Sequence, residues 1–459
     1  MKISTKHSNF FLTFAILILI PYQSNIFLSK ICFIYRTLRK HGSGVSLPAI
    51  CLSALAQLLF TFSSFSSPYL VEIVCKLAIL KSKISSWESE NSNDGKSLNR
   101  VSLEISNRVD EVIDSVAKTH FRLLVPQLSK IYSELRQESI KHLNDEEANR
   151  AVLCFSNFLA KSVAKWKREE VLPHLPKLHS FFVQAFEYRN EVHSKDVVFE
   201  AISDAEDRIF ESIIALALKL TESEMRPLFF KVTEWCSRAI EEKEPMKLVT
   251  FYRFAVKLAD SLKSLVHLFA APIFKQAVEV LQLTNPTTSN ETLFKKNADL
   301  DRKLRGYVLD LLTLLFTHDA SGFTTRQRFD AVEGPLIDQL ELAELNEPVE
   351  TYMQYIRLHA GPAIVALAVA VSEDSAWKIV NHSLLTKTQH QNANVRLATL
   401  HCLDLLVTKM ADDYSSVLPD TVPYLAPLME DDDPTVESAC KDLAAKLDNI
   451  LGEPIAKFI

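Results

Sequence analysis

The chain is 459 residues long, 47% hydrophobic and 24% charged, enough for one large core or for a long stack of small ones. Only 8 residues are Gly, so the positive-φ turns of hairpins, sandwiches, barrels and phosphate-cradling loops lack their usual residue. The formal net charge is −6, and all 57 acidic residues lie from Glu72 onward, a balance that disfavours gripping phosphates by bulk charge and favours protein partners.

Residues 1–40 differ from the rest. Lys2 and Lys6 precede an apolar run over residues 10–20 that Pro21 ends. This is the outline of a secretory signal peptide, and the run is too short to span a bilayer. Residues 21–25 offer no pair of small residues for cleavage. Three readings stay open for this stretch: a targeting segment, a buried helix, or an extension from a misassembled gene model. Residues 41–81 read as HEAT-like helices, an apolar one over 47–62 and another from Pro68 to about Lys81. Residues 82–100 are rich in Ser and Asn, contain Asp94 and Gly95, and predict a polar linker.

Residues 101–283 predict a helical domain. Ser203-x-x-Glu206 has the spacing of a capping box before a helix over 208–220. Thr221-x-x-Glu224 caps the next helix, with Pro227 in its first turn. Phe251, Phe254, Ala255, Leu258, Leu262, Leu265, Val266 and Phe269 follow as one apolar stripe. Residues 284–459 predict HEAT repeats, interrupted by loops over 285–297 and 318–326. Leu304, Tyr307, Val308, Leu311, Leu312, Leu315 and Phe316 keep the i, i+3, i+4, i+7 spacing of one helix face. No strand-like alternation of useful length occurs.

Near the C-terminus a segment is written twice. Val395, Ala398, Cys402 and Leu406 recur as Val436, Ala439, Leu443 and Leu447, and upstream Trp377 and Leu384 recur as Leu418 and Leu425. Polar turns over 389–394 and 430–434 divide each copy into two helices. A period of about 40 residues with two helices per unit is the signature of an α-α superhelix, a HEAT or armadillo solenoid, in which each unit buries its apolar face only by stacking on its neighbours. The last helix reads with Asp433 as N-cap and Pro434 at N1, ending at Gly452 before Pro454.

No residue is assigned a catalytic, cofactor-binding or metal-ligating role. Gly95-Lys96-Ser97 has the end of a phosphate-binding loop, but its first Gly would fall at Glu90 and no buried strand precedes it. His41-Gly42-Ser43-Gly44 is no nucleophile elbow. The His pairs His174/His179 and His382/His390 lack metal spacing, and Glu430 to Asp433 reads as a solvated, helix-capping acidic turn. The seven cysteines (Cys32, Cys51, Cys75, Cys154, Cys236, Cys402, Cys440) form no close pair and read as reduced core thiols. The sequons at Asn290 and Asn381 read as chance.

The run Met225-Arg-Pro-Leu-Phe-Phe-Lys-Val-Thr-Glu-Trp235 resembles the C-terminal region of the HEAT-repeat-containing protein 1 family, also called the U3 small nucleolar RNA-associated protein 10 family. Leu248 to Phe254, Leu265 to Ala270, Leu418 to Leu425, Leu428 to Asp431 and Leu451 to Pro454 match further blocks of it in order. The resemblance covers roughly residues 41–459. It implies a non-catalytic solenoid without cofactors, resident in the nucleus and nucleolus, and either the C-terminal portion of a longer protein or a truncated gene model. Its implied role is in the small-subunit processome, in pre-18S rRNA processing and ribosome biogenesis, with support of RNA polymerase I transcription. Processome proteins are the implied partners, with U3 small nucleolar RNA and pre-rRNA reached through them. Two departures stand out: residues 1–40 match nothing in the family, and Glu437 stands where the preceding repeat has Arg396, so a regular charged ladder is not expected there. The alternative is another α-solenoid adaptor, such as a transport receptor or coat protein, which would share the period but not the 225–235 block.

Overall fold

The computed structural model describes residue 52 and residues 70–451, except 91–95, 120, 143–144, 195–196, 290, 295–296, 343–347 and 372–374. Among these residues every regular element is a helix. They divide into two compact units, up to Leu228 and from Phe229 onward. The division falls inside a helix, neither at 82–100 nor after 283.

The first unit contains α1 (Leu70–Glu90), α2 (Lys96–Thr119), α3 (Leu128–His142), α4 (Asp145–Lys165), α5 (Leu175–Phe186) and α6 (Phe199–Ala217), and the start of α7 (Glu222–Ser237). Helices α1, α4 and α6 lie side by side in one row, and α3 and α5 in a second row against them. The spacing of Ala148, Ala151, Val152, Phe155, Leu159 and Val163 gives α4 its buried face. Tyr132, Phe155 and Phe181 meet between the rows with ring centroids 5.8–6.4 Å apart. Burying each such side chain stabilises the unit by about 1.5–3 kcal/mol.

Three expectations change in this unit. The linker expected over 82–100 is largely helix, since α1 runs to Glu90 and α2 starts at Lys96. Ser82 is wholly buried with its Oγ donating to the Glu147 carbonyl at 2.7 Å, and Ile84 packs inside, so two side chains hold the polar stretch in register. Gly95 lies outside the described residues, as do residues 1–40 and the helix expected over 47–62, apart from buried, helical Leu52. The capping box at Ser203 and Glu206 is not one. Helix α6 begins at Phe199, and both residues sit inside it. Thr221 and Glu224 do form the expected cap, the Thr221 amide donating to Glu224 Oε2 at 2.7 Å, but Pro227 falls in the second turn of α7.

The second unit contains α8 (Met246–Leu262), α9 (Ala270–Leu283), α10 (Ala298–Thr317), α11 (Arg326–Ile337), α12 (Val349–Tyr355), α13 (Gly361–Ala370), α14 (Ala376–Lys387), α15 (Ala393–Met410), α16 (Leu418–Leu425) and α17 (Pro434–Leu451). Its helices stack in two parallel rows: α8, α10, α13, α15 and α17 in one, α9, α11, α14 and α16 in the other. This is the HEAT-type solenoid that the period predicts. The stripe expected from Phe251 to Phe269 is broken: Lys263 takes a positive φ of 53° after α8, and a 3-10 turn over Lys263–Leu268 turns Leu265 outward, 59% exposed. Phe269 packs instead on Phe229, centroids 4.1 Å apart.

The duplicated segment maps onto α14/α15 and α16/α17. Val395, Ala398, Cys402 and Leu406 are buried, as are Val436, Leu443 and Leu447. Ala439 departs from the alignment: it is half-buried, and Cys440 takes the inner place. Helix α15 lies between α13 and α17 and is covered on two sides, whereas α17 buries one stripe and presents Ser438, Lys441, Asp442 and Asn449 to solvent. Asp433 caps α17 by accepting from the Thr435 amide at 2.8 Å. Gly452 and Pro454 lie outside the described residues. Among the described residues no single helix is long and apolar enough to cross a membrane.

Candidate interaction surface

Each repeat of the second unit turns between its two helices at the same edge, and polar side chains join successive turns there. Asn285, just past α9, donates from Nδ2 to Asp338 Oδ2 at 3.0 Å, and Thr287 Oγ1 donates to the same oxygen at 2.9 Å. Asp338, just past α11, accepts from Lys387 Nζ at 2.7 Å, and Lys387 at the end of α14 also pairs with Glu341. Arg396, in the first turn of α15, donates from Nη1 to the His390 carbonyl at 2.9 Å. Its Nε and Nη2 reach Asp431 in the next turn at 2.8 and 2.7 Å. The two-pronged geometry suits a guanidinium and not an ammonium.

Electrostatics follow from this wiring. Burial opposes the charge on Asp338, but hydrogen bonds from Lys387, Asn285 and Thr287 outweigh it and lower its pKa. Burial likewise opposes the charge on Lys387, while hydrogen bonds to Asp338 and Glu341 raise its pKa. The Arg396 hydrogen bonds hold the Asp431 carboxyl below the ordinary range. Glu341, Lys387, Gln389 and His390 border a cleft of about 450 Å³ at this edge.

The other row presents a different surface. Between α12 and α13 the chain makes a π-helical turn, Ile356–Ala360, which shifts the side chains that follow around the axis. Close approach permits it. A Cβ on Gly306 of α10 would stand 3.2 Å from the His359 ring, and one on Gly361 would stand 3.0 Å from Leu405 Cδ1 of α15. His359 Nδ1 and Asp310 Oδ1 of α10 share a hydrogen bond of 2.6 Å. Lys446 of α17 pairs with Asp404 of α15 and donates to Thr408 Oγ1 at 2.9 Å. Burial, then the Arg357 guanidinium, hold the His401 imidazole below its usual pKa. Along the solvent side of this π turn and α13, Leu358 and Val369 are 59% and 44% exposed, and Pro362, Val365 and Ala366 between them are half-buried.

Among the described residues no group of three His, Cys, Asp or Glu is placed to hold a metal ion. His174 and His179 stay in the first unit, His382 and His390 in the second. His390 Nδ1 accepts from the Asn392 amide at 3.1 Å. Lys96 and Ser97 open α2, and His41 to Gly44 lie outside the described residues. Asn381 is 2% exposed and accepts from the Tyr414 hydroxyl at 2.7 Å, so its sequon is closed to modification in the folded chain, while Asn290 lies outside the described residues. No disulfide joins the described cysteines, and burial raises Cys402 to about 12 and Cys154 to about 11.

At the last repeat Glu437 does not repeat the link that Arg396 makes, as its change of charge implies. Arg396 finds its partner not in α17 but in the preceding acidic turn, and Glu437 pairs with Lys441 of its own helix. The signal was present in the acidic run of residues 430–433, 35 residues after Arg396, but that run read only as a cap.

The family described as the BP28CT (NUC211) domain matches residues 170–324. Human HEAT repeat-containing protein 1 is 30% identical over 427 residues, covering 92% of this chain and 19% of its own length. U3 small nucleolar RNA-associated protein 10 of Pyricularia oryzae is 29% identical over 316 residues, covering 66% of this chain and 17% of its own. The chain thus spans less than a fifth of either relative. A crystal structure of karyopherin Kap121p bound to the extreme C-terminus of the protein phosphatase Cdc14p matches with a TM-score of 0.49 at 14% identity, covering 94% of this chain and 41% of that one.

Proposed function

We propose, from the premise that this chain belongs to the family of HEAT repeat-containing protein 1 and U3 small nucleolar RNA-associated protein 10, that it is a non-catalytic scaffold of the nucleolar small-subunit processome. The observation that carries this reading is the match to relatives named for U3 small nucleolar RNA across most of the chain. The solenoid supports it physically. Stacked helix pairs give long surfaces with many weak contacts, suited to holding several proteins at fixed spacing. In this reading the chain contributes to pre-18S rRNA processing and to RNA polymerase I transcription of rDNA, works in the nucleolus, and reaches U3 RNA and pre-rRNA through proteins. The acidic balance supports protein partners over direct RNA contact.

Affinity purification of the tagged chain tests this. Processome proteins are expected with it and to survive nuclease treatment, while U3 RNA is expected to leave when those proteins are stripped by salt. The purified chain alone is expected to bind RNA weakly and without sequence preference. Tight, sequence-selective RNA binding by the purified chain would overturn the protein-scaffold mechanism.

A further inference from the structure

The cleft at the turn edge of the second unit is bordered by polar residues: Glu341, Thr386, Lys387, Gln389, His390 and Gln391. At about 450 Å³ it has room for a side chain of another molecule, and these residues give it no apolar wall. One side is the turn that follows α11, and the other is the last turn of α14 with the loop leading into α15.

Most of the charge here is already spent. Lys387 gives its ammonium to Asp338 and to Glu341 Oε1. Arg396 gives its guanidinium to Asp431 and to the His390 and Gln391 carbonyls. Glu341 Oε2 differs. Among the described residues no hydrogen bond reaches it, and His390 Nε2 stands 3.8 Å away, beyond hydrogen-bond distance. His390 Nδ1 accepts from the Asn392 amide, so in this arrangement the ring is neutral and carries its proton on Nε2. A half-buried carboxylate at the cleft thus keeps one oxygen unfilled.

The other free capacity is for accepting. Thr386 gives its hydroxyl proton to the Ser383 carbonyl at 2.7 Å and is left with lone pairs, and exposed Gln389 and Gln391 each bring a carboxamide oxygen. The charges agree. Asp338, Glu341 and Asp431 stand against two cations, Lys387 and Arg396, and Glu430 and Asp432 are exposed in the adjoining turn. A carboxylate occupant would meet Glu341 while both cations are committed elsewhere.

We infer that this cleft receives an arginine side chain of a protein partner, its guanidinium donating to Glu341 Oε2 and to the carboxamide oxygens of Gln389 and Gln391. A guanidinium offers five donors in one plane and suits acceptors spread over several residues. A lysine ammonium would be a second point charge beside Lys387. The inference rests on the scaffold reading for the kind of occupant, a partner's side chain, and adds the place and chemistry of one contact.

The test uses the full chain with isotope-labelled histidine, the His390 ring signal being assigned by its loss in His390→Gln. The probe is a capped Gly-Arg-Gly peptide. A saturable shift of the His390 signal is expected, with millimolar affinity, as for a single part-exposed ion pair. Affinity is expected to fall about fivefold in Glu341→Gln, which keeps an oxygen for Lys387. The Gln389→Ala/Gln391→Ala variant changes exposed side chains only and is expected to bind about twofold more weakly, and melting curves of both variants separate loss of binding from loss of fold. The Lys peptide is expected to bind more weakly, and the Asp peptide to give no saturable shift. No shift with the Arg peptide, an equal shift with the Lys or Asp peptide, or affinity unchanged in both variants each overturns the inference. Any of these with intact co-purification of processome proteins removes this contact and leaves the scaffold reading standing. Failed co-purification with the Arg-peptide shift intact removes the assembly and leaves the cleft.

Discussion

Ala398 and Ala439 occupy matching places in the written repeat, yet only Ala398 is fully buried. An Asp at 398 would be buried and unpaired in α15, and Ala398→Asp is expected to cost about 3 kcal/mol or more. Ala439→Asp, half in solvent, is expected to cost about 1 kcal/mol or less. Urea unfolding of the two variants measures the difference, and equal losses would contradict the burial. In the first unit, Arg189 and Glu206 are 1% and 3% exposed. Arg189 donates from Nη2 to Glu206 Oε2 at 2.7 Å and to Ser203 Oγ at 2.8 Å, with its guanidinium over the Phe199 ring at 4.1 Å. Arg189→Met strands the carboxylate and is expected to cost about 3–5 kcal/mol, while Arg189→Met with Glu206→Leu is expected to cost less. A double variant worse than the single would refute that reading. The S-x-x-E spacing was legible but ambiguous: three residues apart also places two side chains on one helix face, and the Arg that claims them lies 14 and 17 residues upstream. Asp338 gives a pH signature. Its folded pKa is lowered, so its contribution to stability is present above the ordinary carboxylate pKa of about 4 and is lost as pH falls through the folded value. Asp338→Asn is therefore expected to flatten the acid limb of the stability curve, and an unchanged limb would contradict it.

Helix ends show where periodicity stops informing. The apolar residues from Phe251 to Phe269 keep a helical rhythm, but Lys263 takes φ 53°, a conformation suited to Gly, and the stripe splits. Nothing in the residue types marks this, because the bend is set by packing of Val266 and Phe269 rather than by local preference. Lys263→Gly is expected to raise stability by about 1 kcal/mol, and a loss would mean that the turn is not strained. Gly361 is the converse case. With Leu405 Cδ1 3.0 Å and the Ile356 carbonyl 3.1 Å from a would-be Cβ, Gly361→Val is expected to overpack the α13–α15 contact and cost about 1–3 kcal/mol. A Tm equal to that of the unaltered chain would show that the two helices can separate freely. The scarce Gly residues could be counted in the sequence, but the roles of Gly306 and Gly361 as contact points between helices could not, since His359 and Leu405 lie tens of positions away.

For the whole molecule, the helical class, the two-helix repeat and the caps at Thr221 and Asp433 were legible because each rests on local spacing. The ladder from Asn285 through Asp338 and Lys387, and on from Arg396 to Asp431, was not, because each bond joins residues 35 to 53 apart. The open stripe on α13 was hidden for the opposite reason: apolar residues read as core until neighbours are known. The family resemblance supplied what packing does not, an assembly in which such a scaffold works. Depletion of the gene product followed by pre-rRNA analysis tests that claim most directly. The account predicts accumulation of unprocessed pre-rRNA and a fall in mature 18S rRNA. Normal 18S maturation after depletion would contradict it.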